Sequence, residues 1–393
     1  MDKALLQTID HIDWYGKVAL IRADFNVPLA DGQVQDTTRI ERALPTIEAI
    51  LQKGGTVSIM THLGRPKGIE PAYSVQPVAD CLSALLHKPV EVLSDFDPEH
   101  TKTPNTIYLY ENTRFFPGET RNDPELAERM AACCDVWVMD AFATAHRAHA
   151  STMGALSYAK EACAGILFAE ELTAISRLFD APGKPILAVV GGAKVSGKID
   201  LLTSLLEWCD VIAVVGAMAN TFLYAKGQEV GRSLYEPEQV ELARSIMQQA
   251  MEKGVVIYLP QDYIVATESG DKSLQKGVAE IHPTDSIYDV GPQTLMALNT
   301  LATHSQTLIW NGPLGWFENP LYSHGSYAFA KSVAASSSYS IVGGGDTIRV
   351  LTESTGLSGV SYVSTGGGAF LALLAHRTLP IVEALSIGVA QHV

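Results

Sequence analysis

The fold is decided by the stretch PILAVVGGAKVSGK at residues 185–198, where five apolar residues run directly into a pair of glycines. Such an apolar run predicts a β-strand that is buried on both faces, and Gly191 and Gly192 predict a tight turn after it. The residues that follow predict the start of a helix, on which Lys194 and Lys198, four residues apart, would share one face. The stretch therefore predicts one strand, turn and helix unit of a parallel sheet.

The same pattern recurs in both halves of the chain. Further strands are predicted at residues 17–23, 56–60, 106–109, 136–139, 211–215, 341–342 and 362–363, and helices at residues 38–53 and 124–134. Continuous apolar strands that alternate with helices are typical of parallel sheets covered on both faces. We therefore predict an α/β protein with three-layer α/β/α, Rossmann-like domains whose sheets are mostly parallel.

The chain length predicts two domains, because 393 residues exceed what one hydrophobic core usually organises. A charged helical stretch at residues 170–180 meets the turn-rich segment APGKP. We expect one domain over residues 1–170 and a second over residues 171–378, with a helix near residues 170–181 between them. Composition alone does not decide which domain the last residues, from about 379 to 393, pack on.

Composition narrows the class of protein and its partners. The chain is 47% hydrophobic and 18% charged, which excludes a disordered protein. With 28 Lys and Arg against 43 Asp and Glu, the net charge of −15 argues against nucleic acid or an anionic membrane as partner. The five cysteines show no metal-ligand spacing, so we expect buried thiols. The acidic start and the short apolar runs predict neither a secretory signal nor a membrane span, so we expect a cytoplasmic protein.

Basic side chains in the first half predict an anion site. Five arginines stand beside strand ends or turns, with polar neighbours, namely Arg22, Arg39, Arg65, Arg114 and Arg147 beside Asp24, Asn26, His62, Asn112, His146 and His149. Loops that follow parallel strands meet at one edge of a sheet, and guanidinium groups grip phosphate or carboxylate with two donors. Taken singly, each arginine is as readily explained by a surface ion pair. The two histidines of AHRAHA lack the additional ligands of a zinc site.

Glycine-rich turns in the second half predict a phosphate site. The motif GGGDT at residues 343–347 combines bare backbone amides with Asp346, which suits either a Mg²⁺ ligand beside phosphates or a simple helix cap. The segment NGPLGWFE at residues 311–318 suits a nucleoside pocket in which Glu318 binds ribose hydroxyls, or an ordinary buried loop. TGGGAF at residues 365–370 adds a third run of amides. No Walker A order is present around Lys198.

Together these motifs resemble the phosphoglycerate kinase family along nearly the whole chain. The matching segments are RADFNVPL, THLGRP, YENTRFFPGE, DAFATAHRAHAS, GGAKVSGKI, NGPLGWFE, VGGGDT and STGGGA. The resemblance implies two α/β lobes with a cleft between them, the first for 3-phosphoglycerate or 1,3-bisphosphoglycerate and the second for ADP or ATP with Mg²⁺. It also implies that the tail of about residues 379–393 returns to the first lobe, and that the protein is a monomer.

The resemblance further implies a role for each matching residue. The acid-substrate residues are Arg22, Asp24, Asn26, Arg39, His62, Arg65, Arg114 and Arg147. The nucleotide residues are Gly192, Lys194, Lys198, Asn311, Glu318, Gly344, Gly345, Asp346 and Thr347, with Asp346 also the metal ligand. The catalytic residues are Arg39, Lys194, Gly367 and Gly368. The implied reaction is a reversible in-line phosphoryl transfer of glycolysis after hinge closure.

Two other functions would explain part of this pattern. A nucleotide-dependent dehydrogenase predicts the ordered motif GxGxxG, which the sequence lacks. A non-catalytic protein that binds a phosphorylated metabolite explains the arginines but leaves Lys194, Lys198 and Asp346 without a role. In the kinase the substrate's own carboxylate is the nucleophile, and it is ionised at neutral pH, which explains why no general base is needed.

Overall fold

The computed structural model describes residues 6–100, 103, 105–180, 182–266 and 273–386. The chain forms two compact units. Unit 1 runs to Thr173 and takes in the chain again from Thr378 onward, and unit 2 is Ala174–Arg377. No helix among the described residues combines the length and the apolar character that crossing a bilayer requires.

Unit 1 is built on a six-stranded parallel sheet. Its strands and helices are β1 (Val18–Ala23), β2 (Leu29–Ala30), β3 (Gln33–Val34), α1 (Thr38–Gln52), β4 (Thr56–Met60), α2 (Gln76–Leu86), β5 (Val90–Leu93), β6 (Ile107–Tyr110), α3 (Pro124–Ala132), β7 (Val136–Asp140), α4 (Ala155–Tyr158), β8 (Ala162–Ala164) and the start of α5 (Ile166–Asp180). The strand order is β5-β6-β4-β1-β7-β8. In β1, Ile21 pairs with Ile59 on one side and with Val138 on the other, and all three side chains are buried, as continuous apolar strands require.

Unit 2 repeats this design. It contains β9 (Ile186–Val190), α6 (Ile199–Leu205), β10 (Val211–Val214), α7 (Met218–Ala225), α8 (Val240–Lys253), β11 (Val256–Tyr258), β12 (Asp262–Ala266), β13 (Ser273–Gly277), β14 (Ser286–Val290), α9 (Pro292–His304), β15 (Thr307–Asn311), α10 (His324–Ala335), β16 (Tyr339–Gly343), α11 (Gly345–Ser354), β17 (Tyr362–Ser364) and α12 (Gly368–His376). The parallel sheet has the order β11-β10-β9-β15-β16-β17. A separate antiparallel sheet, β13-β12-β14, was not predicted.

The chain reaches unit 1 again at its far end. Helix α13 (Pro380–Ala384) is followed by Leu385, whose carbonyl accepts a 3.2 Å hydrogen bond from the backbone amide of Gln7. Leu6 and Ser386 form an isolated antiparallel bridge beside it. The start and the end of the described chain are therefore joined within one unit. The last seven residues of the expected tail, 387–393, lie outside the described residues.

The predicted α/β class with two parallel sheets is confirmed, and most strand positions agree within one or two residues. The prediction that Lys194 and Lys198 lie on one face of a helix was wrong. Gly192 has a φ of +117°, and the chain remains in loops and turns until α6 begins at Ile199. Lys198 thus caps the start of α6, and the two lysines do not share a helical face. A positive φ such as that of Gly192 lies outside the right-handed helical region, so no helix runs through this glycine.

Candidate functional site

The basic residues of unit 1 meet at the carboxyl edge of its sheet. Arg39, in the first turn of α1, donates through Nη1 to Oδ2 of Asp24 at 2.7 Å. Nδ1 of His62, after β4, lies 3.9 Å from the other oxygen of Asp24. Asp24 follows β1, so its carboxylate lies against one group from the end of the neighbouring strand β4 and one from helix α1. The convergence expected of a parallel sheet is thereby observed.

The loop after β4 is held by side chains from both neighbouring loops. The backbone amide of Gly64 donates to Oδ1 of Asn26 at 2.8 Å, and Nη1 of Arg114 donates to the Gly64 carbonyl. Burial lowers the pKa of Arg114, and the positive charges of Arg147 and Arg65 lower it further. These effects place Arg65, Arg114 and Arg147 in one electrostatic neighbourhood. All eight predicted acid-substrate residues therefore belong to one region of unit 1, the arginine cluster.

The histidines of the arginine cluster are neutral. Burial first, and then the charges of the surrounding arginines, lower the pKa of His62 to about 2 and that of His149 to about 4. The pKa of His146 is lowered by burial and by Arg147. Each imidazole therefore has one N–H donor and one bare nitrogen at neutral pH. The cluster's positive charge comes from its arginines alone.

Arg22 differs from the other predicted substrate residues, and its direct role needs correction. Its side chain is 1% exposed, and its guanidinium donates to Ser151 Oγ at 3.0 Å, to His62 Nδ1 at 3.3 Å and to the carbonyl of Ala23. Arg22 is a residue of β1, which is buried between neighbouring strands. Each of its three nitrogens bonds within the protein and the side chain is buried, so Arg22 supports the cluster from beneath.

Unit 2 contains a cavity of about 300 Å³. Its wall includes Gly192, Glu318 and Asp346 from the predicted nucleotide set. The cavity volume is at the lower end of the range for small-molecule sites. Glycines shape this region, because a Cβ on Gly191 would lie 2.2 Å from the Pro313 carbonyl oxygen. The backbones after β9 and β15 can approach each other this closely only without a side chain.

Lys198 is anchored where these two backbones meet. Its Nζ donates to the Gly191 carbonyl at 2.6 Å, to the Asn311 carbonyl at 3.0 Å and to Asn311 Oδ1 at 2.5 Å. Burial lowers the pKa of Lys198 to about 8, and the nearby negative charge of Asp346 opposes that shift. All three acceptors are uncharged oxygens. The ammonium group is therefore partly buried and has no ion-pair partner among the described residues.

The GGGDT motif forms the turn into α11. Gly344 has a φ of +102°, and Thr347 Oγ1 accepts a 2.8 Å hydrogen bond from the amide of Gly312. Asp346 lies in the first turn of α11, where its side chain lines the cavity. No group of three or more His, Cys, Asp or Glu side chains within the described ranges is arranged to hold a metal. A lone carboxylate fits a Mg²⁺ ion whose other ligands are phosphate and water oxygens.

Eight predicted residues of unit 2 lie outside the wall of this cavity, namely Lys194, Lys198, Asn311, Gly344, Gly345, Thr347, Gly367 and Gly368. Lys194 is exposed on the loop before α6. Gly367 has a φ of +49° and caps α12, whose first residue is Gly368. The amides at this helix start are arranged as in anion-binding turns. The structure thus places these residues in unit 2 but does not bring them into the cavity.

Sequence reasoning missed Tyr288 and Asp289 in the cavity wall, whereas Trp316 belongs to the segment predicted as a nucleoside pocket. Tyr288 and Trp316 are 37% and 46% exposed, with ring centroids 5.3 Å apart, and both line the cavity. Asp289 follows Tyr288 and is buried, and burial raises its pKa to about 7 although the amides of Val290 and Gly325 donate to it. The only signal of Asp289 in the sequence was that it is a charged residue inside the apolar strand SIYDV.

Comparisons with known proteins agree on one family. A family model described as phosphoglycerate kinase matches residues 9–377. A curated phosphoglycerate kinase of Legionella pneumophila (strain Corby) is 45% identical over 378 residues, covering 95% of this chain and 96% of the relative. One from Coxiella burnetii (strain RSA 493 / Nine Mile phase I) is 44% identical over 382 residues, covering 96% of this chain and 98% of the relative.

Solved structures give the same result. The structure of phosphoglycerate kinase from Coxiella burnetii matches with a TM-score of 0.90 at 44% identity, covering 97% of this chain and 98% of that one. The phosphoglycerate kinase from Pyrococcus horikoshii OT3 matches with a TM-score of 0.84 at 28% identity, covering 98% of this chain and 100% of that one. Both matches span both units of the chain.

Proposed function

Since the chain belongs to the phosphoglycerate kinase family, we propose that its arginine cluster binds the phosphorylated three-carbon acid and that its unit 2 cavity binds the adenine nucleotide. The chain is a kinase, a phosphotransferase with a carboxyl acceptor. Its reaction is the reversible transfer of glycolysis, in which 1,3-bisphosphoglycerate and ADP give 3-phosphoglycerate and ATP. We propose in addition which residues perform each part of this reaction.

The observation that supports the acid site is the Arg39–Asp24 pair at the carboxyl edge of the unit 1 sheet. Asp24 orients the guanidinium of Arg39, while Arg65, Arg114 and Arg147 supply further positive charge. A substrate that bears both a carboxylate and a phosphate matches this concentration of donors in an otherwise acidic protein. We assign Asp24, Asn26, Arg39, His62, Arg65, Arg114 and Arg147 to it.

For the nucleotide we assign Gly192, Lys198, Asn311, Glu318 and Gly344–Thr347. Lys198 is a partly buried cation whose hydrogen-bond partners are all uncharged, so a polyphosphate would supply the missing counter-charge. Glu318 and the aromatic pair Tyr288–Trp316 line the cavity, where they suit a ribose and a planar base. Asp346 would hold Mg²⁺, which when bound neutralises the phosphate charge.

The chemistry needs positioning more than acid or base groups. The substrate carboxylate has a reference pKa of roughly 3.5–4, so it attacks as the anion and no proton must be removed. Arg39, Lys194 and the amides of Gly367 and Gly368 are the groups we propose to stabilise the equatorial oxygens in transit. Because the reacting atoms must come within ~3–3.5 Å, the two units close during turnover and exclude water.

A coupled assay with 3-phosphoglycerate and MgATP tests the assignment. Arg39→Ala should lose most activity, whereas Arg129→Ala, which removes an exposed ion pair with Asp95, should keep it. Calorimetry with ADP, with and without Mg²⁺, tests the second site. Asp346→Asn should lose the Mg²⁺ dependence but retain ADP binding. Activity of Arg39→Ala equal to wild type would remove the cluster from the mechanism.

We further propose that the protein works in the cytoplasm as a monomer without nucleic-acid or membrane partners. The net charge of −15 supports the absence of polyanionic partners. Sedimentation equilibrium over a range of concentrations checks the monomer. A mass of twice 42.3 kDa at micromolar concentration would contradict it.

A further inference from the structure

The buried Arg22 belongs to a chain of hydrogen bonds that runs beneath the arginine cluster. Glu119, which is 2% exposed, accepts from the Ser151 hydroxyl at 2.6 Å and from the Ser151 amide at 2.9 Å. Ser151 Oγ in turn accepts from Nε of Arg22 at 3.0 Å. Nη2 of Arg22 lies 3.3 Å from Nδ1 of His62. The chain thus connects a buried carboxylate to an imidazole of the proposed acid site.

The chemistry of each group fixes which one donates and which one accepts in every bond of this hydrogen-bonded chain. A guanidinium only donates, so Nδ1 of His62 must be the acceptor, and it has no proton. A carboxylate only accepts, so the hydroxyl of Ser151 gives its one proton to Glu119 and offers a lone pair to Arg22. The alternative acceptor for an N–H at Nδ1 is Asp24, but its nearer oxygen is 3.9 Å away, beyond hydrogen-bond distance.

The remaining proton of the neutral ring is therefore on Nε2. That nitrogen forms no hydrogen bond with any described residue. Charged groups from each packed element surround the ring, namely Arg22 of β1, Asp24 after it, Arg39 of α1, Arg114 after β6 and Arg147 after β7. Four of these five charges are positive, and together with burial they oppose a second proton on the ring. His62 consequently offers an uncharged donor among cationic ones.

We propose that Arg22, held by Ser151 and Glu119, is a positioning residue that fixes His62 in the Nε2–H tautomer, so that the ring donates one hydrogen bond to an oxygen of the acid substrate. The proposal rests on the assignment of the acid substrate to the arginine cluster. It changes the role of Arg22 from a ligand of the substrate to a residue acting through His62. A tautomer fixed beforehand leaves the donor in place before the substrate arrives.

The tautomer can be observed directly in the wild-type protein. Long-range ¹H–¹⁵N correlation spectra of uniformly ¹⁵N-labelled protein distinguish a protonated from a bare ring nitrogen, and His62→Gln identifies the His62 signals among the 11 histidines. The expected spectrum shows a proton on Nε2 and none on Nδ1, unchanged from pH 5 to pH 8. A proton on Nδ1, a mixture of tautomers, or a ring that titrates within this range would overturn the proposal.

A titration with 3-phosphoglycerate separates this inference from the proposed function. The Nε2–H signal should shift on binding. The expected tautomer without any shift would overturn the acid-site assignment and, with it, the donation to substrate. A shift accompanied by a proton on Nδ1 would overturn the inference alone and leave the acid site in place.

Arg22→Met retains the packing of the side-chain stem but removes every donor. It should give a mixture of His62 tautomers, raise the pKa of the ring, and raise the KM for 3-phosphoglycerate about tenfold with the KM for ATP unchanged. Arg129→Ala, on the surface of the same unit, should change none of these. If Arg22→Met fails to fold, Ser151→Ala provides the weaker form of the same test. A single Nε2–H tautomer and an unchanged KM in a folded Arg22→Met protein would refute the positioning role.

Discussion

Nζ of Lys198 lies 2.5 Å from Oδ1 of Asn311, whose side-chain amide is oriented by the 2.7 Å bond that its Nδ2 donates to the Gly343 carbonyl. This bond fixes which end of the Asn311 amide faces the lysine. The carboxyl ends of β9, β15 and β16 thereby place one cation at a defined point. Because its partners are uncharged, the lysine is poised to accept a negatively charged ligand.

This arrangement predicts proton uptake when the nucleotide binds. The pKa of Lys198 is lowered to about 8, so above that pH the unliganded lysine loses its proton. A bound phosphate restores the charge, and we expect ADP affinity to fall as pH rises above 8, by up to about tenfold per pH unit. Calorimetry at pH 8.5 in two buffers of different ionisation enthalpy measures the proton. Lys198→Met should abolish the uptake, and equal heats in both buffers for wild type would disprove it.

Lys194→Ala should lower kcat by about a hundredfold or more, because we assign this exposed lysine to the phosphoryl group in transit and to no structural contact. Substrate KM values should change much less. Steady-state kinetics of Lys194→Ala and of Lys331→Ala, an exposed lysine on α10, give the comparison. A kcat close to wild type in the first variant would end the proposed role of Lys194.

Arg65→Ala should mainly weaken binding of the acid substrate. Arg65 is exposed and contributes charge beside Arg114, so its loss removes a contact with the anion without opening the core. We expect the KM for 3-phosphoglycerate to rise about tenfold or more and the KM for ATP to stay constant. Arg129→Ala is the control on the same unit. Equal increases in both KM values would point instead to a general structural defect.

The raised pKa of Asp289 predicts that the free energy of unfolding falls as the pH rises. Burial raises this pKa to about 7 in the folded protein from the ordinary value of 3.8, so between these values the native state binds more protons than the unfolded state. The free energy of unfolding therefore falls with rising pH in this window, by up to about 1.4 kcal/mol per pH unit. Asp140 acts in the same direction, with a pKa raised by burial to about 7. Urea denaturation between pH 4 and pH 7 measures the slope.

The slope should become shallower in Asp289→Asn, which cannot ionise. This variant also loses one of the two acceptors for the Val290 and Gly325 amides, so at pH 4, where the wild-type carboxyl is protonated in the folded state, its stability should be lower. Glu238→Gln, an exposed change in the same unit, should leave the slope as it is. An identical slope in wild type and Asp289→Asn would exclude this carboxyl as its source.

Gly191→Ala should destabilise unit 2 and abolish ADP binding. The new methyl would lie 2.2 Å from the Pro313 carbonyl oxygen and 2.8 Å from that of Gly312, and backbone atoms cannot give way as a flexible side chain can. We expect a loss of about 1–3 kcal/mol in unfolding free energy. Gly68→Ala meets nothing within 4 Å and should change stability by no more than about 0.5 kcal/mol. Similar melting temperatures for both variants would contradict this.

Much of the fold could be predicted because its central strands are continuously apolar. The strand of residues 186–190 and that of 56–60 were predicted at their observed positions, since only a strand buried on both faces needs such a run. Strand β13, by contrast, reads SLQKG, and none of its residues is buried. Its pairing with β12 depends on a partner strand in space, and no local pattern distinguishes it from a loop.

For the site, residue type was predictable but exposure was not. The arginines stood after strands, and the topology of the sheet collected them as expected. Whether a given arginine points to solvent depends on its neighbours across the sheet, which is why Arg22 was assigned to the substrate and yet is buried against Ser151. Asn311, which supplies two of the three acceptors of Lys198, is 113 residues away at the end of β15, so only the fold reveals this contact.

The hydrogen bond from Gln7 to Leu385 has a consequence for biosynthesis. A ribosome delivers α13 only after all of Ala174–Arg377 has been made, so unit 2 can acquire its structure while unit 1 still lacks its last helix. Unit 1, whose synthesis starts before that of unit 2, is thus completed after it. A nascent chain halted before Thr378 would hold the complete second unit beside a first unit still missing its closing segment.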